Sequence, residues 1–161
     1  MLTIEGTQAA AGFRFAIVVS RYNDFVTDRL QAGALAALAA AGAKPDATTV
    51  VLVPGAFEIP IAAQRAAETG QFDAIVCLGC IIRGETPHFE FIASAVATGL
   101  TVGSGATGVP MTFGVLTTNS VEEAIERAGE GPSNNGYEAA VAPIQMASVV
   151  SQLSRQGSPA R

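Results

Sequence analysis

Six consecutive residues, Arg83-Gly84-Glu85-Thr86-Pro87-His88, bring the means of proton transfer and anion binding into one short loop. His88 is the only histidine in the chain, and an imidazole titrates in the range where one group can both take and give a proton near neutrality. Gly84 lets the backbone come close to a ligand. Glu85 follows it, and Thr86 adds a hydroxyl donor. His88 opens a stretch with helical spacing, and the free amides of a helix start favour an anion such as phosphate. The bland alternative is a helix-capping loop with an incidental surface histidine.

Four other features carry weaker signals. Pro54-Gly55-Ala56-Phe57-Glu58 sets an aromatic ring beside a carboxylate that could accept hydrogen bonds from a polyol or an amine. The alternative is a helix start with a glutamate favoured by the helix dipole. Within Arg21-Tyr22-Asn23-Asp24, Tyr22 could stack on a flat ring or simply cover the end of a sheet. Arg127 falls in the last turn of a short helix, where it either complements the dipole or offers a planar fork to phosphate. Gly103-Ser-Gly105-Ala-Thr-Gly108 matches G-x-G-x-x-G, but it follows a helix and precedes a strand. A dinucleotide site needs the reverse order, so this stretch is expected to be a turn.

The elements that must position these groups alternate. Apolar or β-branched runs read as strands at Phe13–Ser20, Thr48–Pro54, Ala74–Ile82 and Val109–Thr117. Helical spacing is found over Asp24–Ala41, Glu58–Thr69, His88 to about Gly103, Ser120–Gly129 and about Asn135–Arg155. Ser120-x-x-Glu123 is a capping box, and Pro143 should bend or weaken the last helix. Strand–helix alternation means parallel strands joined by crossovers. Continuously apolar strands mean a sheet covered on both faces. The fold expected is a three-layer α/β/α sandwich, with ligands at the carboxyl ends of its strands. All of the loops that could do chemistry, apart from Arg127, follow a strand.

Bulk properties narrow the partners. With 161 residues the chain suits one domain with a real core. We read residues 13–155 as that domain, 1–12 as an N-terminal extension and 156–161 as a disordered C-terminal tail. Charged residues make up only 14% against 49% hydrophobic, which suggests that a second copy covers part of the surface. The net charge is −5 and the nine Lys and Arg form no basic run, which argues against nucleic acid and anionic membrane. No basic leader and no apolar stretch near bilayer length are seen, so a cytoplasmic location is expected. Cys77 and Cys80 have Cys-x-x-Cys spacing, but three-apart residues on a strand face opposite sides. They are expected to be buried hydrophobes, with no metal or cofactor involved.

Taken together, five blocks resemble the 6,7-dimethyl-8-ribityllumazine synthase family: IVVSRYNDFVTDRLQAGA from Ile17, VPGAFEIP from Val53, LGCIIRGETPHFEF from Leu78, VPMTFGVLTTNSVEEAIERAG from Val109, and Asn134 to Met146. The resemblance spans Phe13 to about Leu153. It implies a flavodoxin-like sandwich on a four-stranded parallel sheet. It also implies pentamers, some assembling into icosahedral sixty-subunit shells, with active sites between neighbouring subunits. The implied reaction is a step of riboflavin biosynthesis. It condenses 5-amino-6-(D-ribitylamino)uracil with 3,4-dihydroxy-2-butanone 4-phosphate, releasing phosphate and water without a cofactor. By the same resemblance Tyr22 stacks on the pyrimidine, Ala56, Phe57 and Glu58 hold the ribityl chain and its ring, and Ile81 and Ile82 contact the ring through backbone groups. Gly84, Glu85 and Thr86 cradle the phosphate with Arg127, Phe113 and Arg127 come from the neighbouring subunit, and His88 moves protons. A sister activity that dismutates two lumazines would have no use for a phosphate loop. A shell protein with decayed catalysis is favoured only by Asn135, which stands where members usually carry lysine.

Overall fold

The computed structural model describes residues 1–157; the expected disordered tail falls mostly on 158–161, outside the described residues. Four strands form one sheet: β1 (Phe15–Ser20), β2 (Thr48–Val53), β3 (Ala74–Ile82) and β4 (Met111–Thr118). Their order is β2-β1-β3-β4 and every pairing is parallel. Five helices connect and follow them: α1 (Asp24–Ala40), α2 (Ile59–Glu68), α3 (His88–Thr107), α4 (Val121–Arg127) and α5 (Asn135–Gln156). The expected three-layer α/β/α sandwich of flavodoxin-like type is what the chain forms.

The alternation of side chains along the strands divides the core in two. Phe15, Ile17 and Val19 of β1 pack with Leu30 and Leu38 of α1 and Ile144 of α5 on one face. Ala16 and Val18 pack with Ile59 and Ala63 of α2 and Val96 and Leu100 of α3 on the other. Cys80 belongs to the first cluster and Cys77 to the second, and both are free thiols. The strand places them back to back, as their spacing predicted.

The sheet order reverses at β1 and β3. The chain moves from β1 outward to β2, then crosses back to β3 and on to β4. Right-handed crossovers then require α1 on one face and α2 and α3 on the other. Loops after β1 and after β3 diverge at that reversal and leave a crevice at the carboxyl ends of the strands.

Two expectations are corrected. The glycine-rich stretch from Gly103 is not a turn: α3 continues to Thr107, and only Gly108, at φ 73°, ends it. A helix tolerates these glycines because packing outweighs their propensity cost. A Cβ at Gly103 would lie 3.3 Å from Met111 Sδ, so the missing side chain lets α3 sit close to β4. The Ser104 hydroxyl also donates to Val109 O (2.9 Å) across the end of the helix. Second, α3 is long and apolar enough, by length and composition, to cross a membrane, although only 17% of its apolar 18-residue window is buried within the chain. Its short apolar runs hide this in the sequence, because Ala, Gly and Thr fill the gaps and Glu90 is its only charge. The last helix, α5, runs as one element through a buried Pro143, so the proline does not end it.

Candidate active site

The crevice at the reversal is a cavity of about 370 Å³. The tip of β1 contributes Tyr22 and Asn23, the β2 tip Gly55 to Glu58, and the end of β3 Cys80, Ile81 and Ile82. Gly84, Thr86 and His88 close it from the following loop, and Phe89 and Ile92 from the first turns of α3.

Hydrogen bonds beyond the ladders lock the strand tips together. Arg21 N–H donates to Val53 O (2.7 Å) and Tyr22 N–H to Pro54 O (3.0 Å), extending the β1–β2 pairing into both loops. Among the described residues, Asn23 is the one non-glycine residue with positive φ, at 62°. Asparagine tolerates this region because its short side chain can bond locally. Here its Nδ2 instead donates to Cys80 O on β3 (2.9 Å), while its own carbonyl accepts from Val26 and Thr27 at the start of α1. One residue thus fixes the β1 loop to β3 beside Tyr22. Across the cavity a Cβ on Gly55 would lie 3.0 Å from a Glu58 carboxylate oxygen, so a glycine there leaves the carboxylate room to fold back over the β2 loop. Tyr22 and Phe57 remain 73% and 61% exposed, with flat faces available to a ring.

The loop from Gly84 leaves its backbone open toward the crevice. No atom lies within 4 Å of the position a Cβ would take at Gly84. The amides of Gly84, Glu85 and Thr86 make no hydrogen bond among the described residues, and the loop runs into the N-terminus of the twenty-residue α3 with His88 as its first residue. Burial pushes the Cys80 thiol at the cavity wall up to about 11, and that of Cys77 further. Both are protonated near neutrality and are poor nucleophiles. His88, Glu58 and the Tyr22 phenol are therefore the titratable side chains left on the wall, and of these an imidazole is the group suited to proton transfer near neutrality.

Nine of the twelve residues expected at the site line this one cavity: Tyr22, Ala56, Phe57, Glu58, Ile81, Ile82, Gly84, Thr86 and His88. Glu85 is in the same loop but exposed off the wall. Phe113 and Arg127 are elsewhere. Phe113 pairs with Cys77, four residues before Thr117, which pairs with Ile81; at about 3.3 Å per residue that is roughly 13 Å down the strand from the tip. It lies instead in a second hollow of about 410 Å³ with Asn135 and Glu138. Arg127 ends α4 and its guanidinium donates to Glu123 O (3.2 Å). The sequence reading pointed to the segment containing Asn23 but not to Asn23 itself, and it passed over Phe89 and Ile92 as wall residues. An asparagine just before a helix start was the available signal for the first; for the other two, helical spacing indicates a buried stripe and not a cavity.

Comparison with known proteins bears on this arrangement. Residues 12–151 match the family model described as 6,7-dimethyl-8-ribityllumazine synthase. The chain is 47% identical over 150 residues to the 6,7-dimethyl-8-ribityllumazine synthase of Desulfatibacillum aliphaticivorans, an alignment covering 93% of this chain and 97% of that protein.

Proposed function

We propose, from the premise that this chain belongs to the 6,7-dimethyl-8-ribityllumazine synthase family, a division of labour within the crevice. The activity is formation of 6,7-dimethyl-8-ribityllumazine, a transferase reaction of riboflavin biosynthesis. The reading of the site rests on one observation: a single cavity gathers the aromatic and carboxylate residues of the β1 and β2 tips with the open amide loop and His88.

In this reading 5-amino-6-(D-ribitylamino)uracil binds with its ring against Tyr22 and the backbone of Ile81 and Ile82. Its ribityl chain lies over Ala56, Phe57 and Glu58. The phosphate of 3,4-dihydroxy-2-butanone 4-phosphate sits in the Gly84-Glu85-Thr86 loop, where amides, the Thr86 hydroxyl and the α3 dipole meet negative charge. Two reactants held this way turn a bimolecular condensation into an intramolecular one. The amine of the first adds to the ketone of the second and water leaves. Phosphate is then eliminated, and the second amine closes the ring with loss of another water. Each step moves a proton, and His88 serves as donor and acceptor at the site where both substrates meet.

A neighbouring copy completes the site with Phe113 and Arg127. The apolar, sparsely buried α3 and the exposed Phe91 (72%) and Phe113 (46%) favour such a contact over solvent. A pentamer, alone or within a sixty-subunit shell in the cytoplasm, is the assembly in which we place it, with residues 13–155 as the catalytic unit. The test mixes the purified protein with both substrates and follows lumazine absorbance, with His88→Ala alongside and the mass of the intact assembly measured separately. Product formation well above the uncatalysed rate, lost largely in His88→Ala, is expected. An unaffected His88→Ala enzyme would remove His88 from its role.

A further inference from the structure

We infer that Arg83 is a positioning residue, which sets the anion loop and His88 by tying both ends of the loop to the neighbouring strand tip. The inference rests on the site reading above and adds to it a residue outside the cavity wall.

The side chains of Glu85, Thr86 and His88 make no hydrogen bond among the described residues, so something else must fix the segment between β3 and α3. Arg83 stands at its start. Its backbone N–H donates to Thr118 O at the tip of β4 (2.8 Å). Its Nε donates to Asn119 Oδ1 (3.0 Å). Asn119 is itself held, because its N–H donates to the Glu123 carboxylate in the first turn of α4 (2.9 Å). From the other side of the guanidinium, Nη1 donates to Glu90 Oε1 (3.3 Å), and the guanidinium carbon lies 4.7 Å from the centre of the Phe89 ring. Phe89 and Glu90 are the two residues that follow His88. One planar group therefore spans from the β4–α4 corner to the first turn of α3, and the five residues from Gly84 to His88 bridge the ends it joins.

The geometry separates this role from direct phosphate binding. Arginine offers a rigid fork and a flat face, and here the fork points to Asn119 and Glu90 while the face covers Phe89. The Glu90 carboxylate beside it would repel a dianion. What Arg83 controls is the setting of the first turn of α3, and through it where the imidazole of His88 meets substrate. Lysine can reach one partner but cannot fork and stack together.

The test is steady-state kinetics on Arg83→Gln, Arg83→Lys, Glu90→Gln and Asn119→Ala, each checked for intact assembly, with His88→Ala alongside. We expect kcat of Arg83→Gln to fall by roughly 10- to 100-fold, the upper end being the cost of a misplacement of about 1 Å. KM for the ribitylaminouracil, held at the β1 and β2 tips, stays unchanged. Arg83→Lys recovers little, and Glu90→Gln and Asn119→Ala each lower kcat by a smaller factor. A rise in KM for the butanone phosphate at unchanged kcat would make Arg83 a phosphate ligand and overturn the inference. Full activity in Arg83→Gln beside an impaired His88→Ala would overturn it while leaving the site reading intact. If Arg83→Gln fails to assemble, Glu90→Gln and Asn119→Ala decide, and normal kcat in both overturns it.

Discussion

Replacing Asn134 with alanine should be among the most damaging single changes in the protein. Asn134 caps α5 and is only 3% exposed. Its Oδ1 accepts from the N–H groups of Gly136 (2.7 Å) and Tyr137 (3.1 Å). Its Nδ2 donates to Gly129 O (2.7 Å) and Arg29 O (3.2 Å). The side chain sits where α1 and α5 cross most closely: a Cβ at Gly33 would collide with it, and one at Gly136 would collide with Leu30 O. Nothing can move in to replace it. Loss of an N-cap costs about 1 kcal/mol, and the buried Gly136 N–H left without an acceptor adds about 1–3 kcal/mol. With two carbonyls also losing donors, we expect about 3–4 kcal/mol in all, or a fall in Tm of roughly 6 to 16 °C for a domain of this size. Urea unfolding at fixed protein concentration measures it, which holds any contribution from association constant. Asn134→Asp separates the causes. Aspartate is as good a cap as asparagine, but it would turn a carboxylate oxygen toward two carbonyl oxygens. If Asn134→Asp is as stable as the wild type, the four-bond hub is the wrong explanation and only the cap matters. A loss below about 1 kcal/mol in Asn134→Ala would refute the reasoning altogether.

Three further outcomes are expected. Asn135 lines the hollow with Phe113; a lysine there gains about 1.5–3 kcal/mol from a charge-assisted bond to phosphate and loses about 0.3–1 kcal/mol at a helix N-terminus. The net of about 0.5–2.7 kcal/mol means that Asn135→Lys should lower KM for the butanone phosphate by roughly 2- to 100-fold, and an unchanged KM would contradict it. Co-assembled His88→Ala and Arg127→Ala subunits, each nearly inactive alone, should recover up to about one quarter of wild-type activity, the share of random head-to-tail contacts that join two intact half-sites; no recovery would place Arg127 outside a neighbour's site. Because burial raises the Cys77 and Cys80 thiols, Cys80 to about 11, the unfolded chain ionises first as pH rises, and stability should decline above the ordinary thiol range by about 1.4 kcal/mol per pH unit for each thiol. Cys80→Ala should show roughly half that slope up to about pH 11, and an identical slope would show that other groups cause it.

The three layers and the parallel strands of the sandwich follow from patterns that local sequence carries well. Continuously apolar strands such as Ala74–Ile82, bounded by helical spacing, leave few alternatives once right-handed crossovers are required. The same logic drew attention to the strand tips, and nine of the expected residues meet there. The features that were not legible depend on contacts between distant segments. Glycines from Gly103 onward read as a break because propensity is local, whereas α3 continues to Thr107 with Gly103 close against Met111. Asn23 and Asn134 look like ordinary caps in sequence, yet each side chain bonds a backbone carbonyl 57 or 105 residues away. Arg83 was read as part of an anion loop; its partners Asn119 and Glu90 become visible only when β4 lies beside β3.

The proposed distribution of the site over the sheet would also account for the unusual surface. A single chain holds the tips of β1, β2 and β3 together, but keeps Phe113 part-way down an edge strand and Arg127 at the far end of α4. Those two can act on a cavity only if another copy presents its β4 edge to it. Such a contact would also cover the faces that make little sense in water: an α3 with one charge, and Tyr22 and Phe57 largely exposed. In the proposed assembly, low charge content and a divided site would have one cause: residues that a monomer would spend on solubility would be apolar because a neighbouring copy covers them.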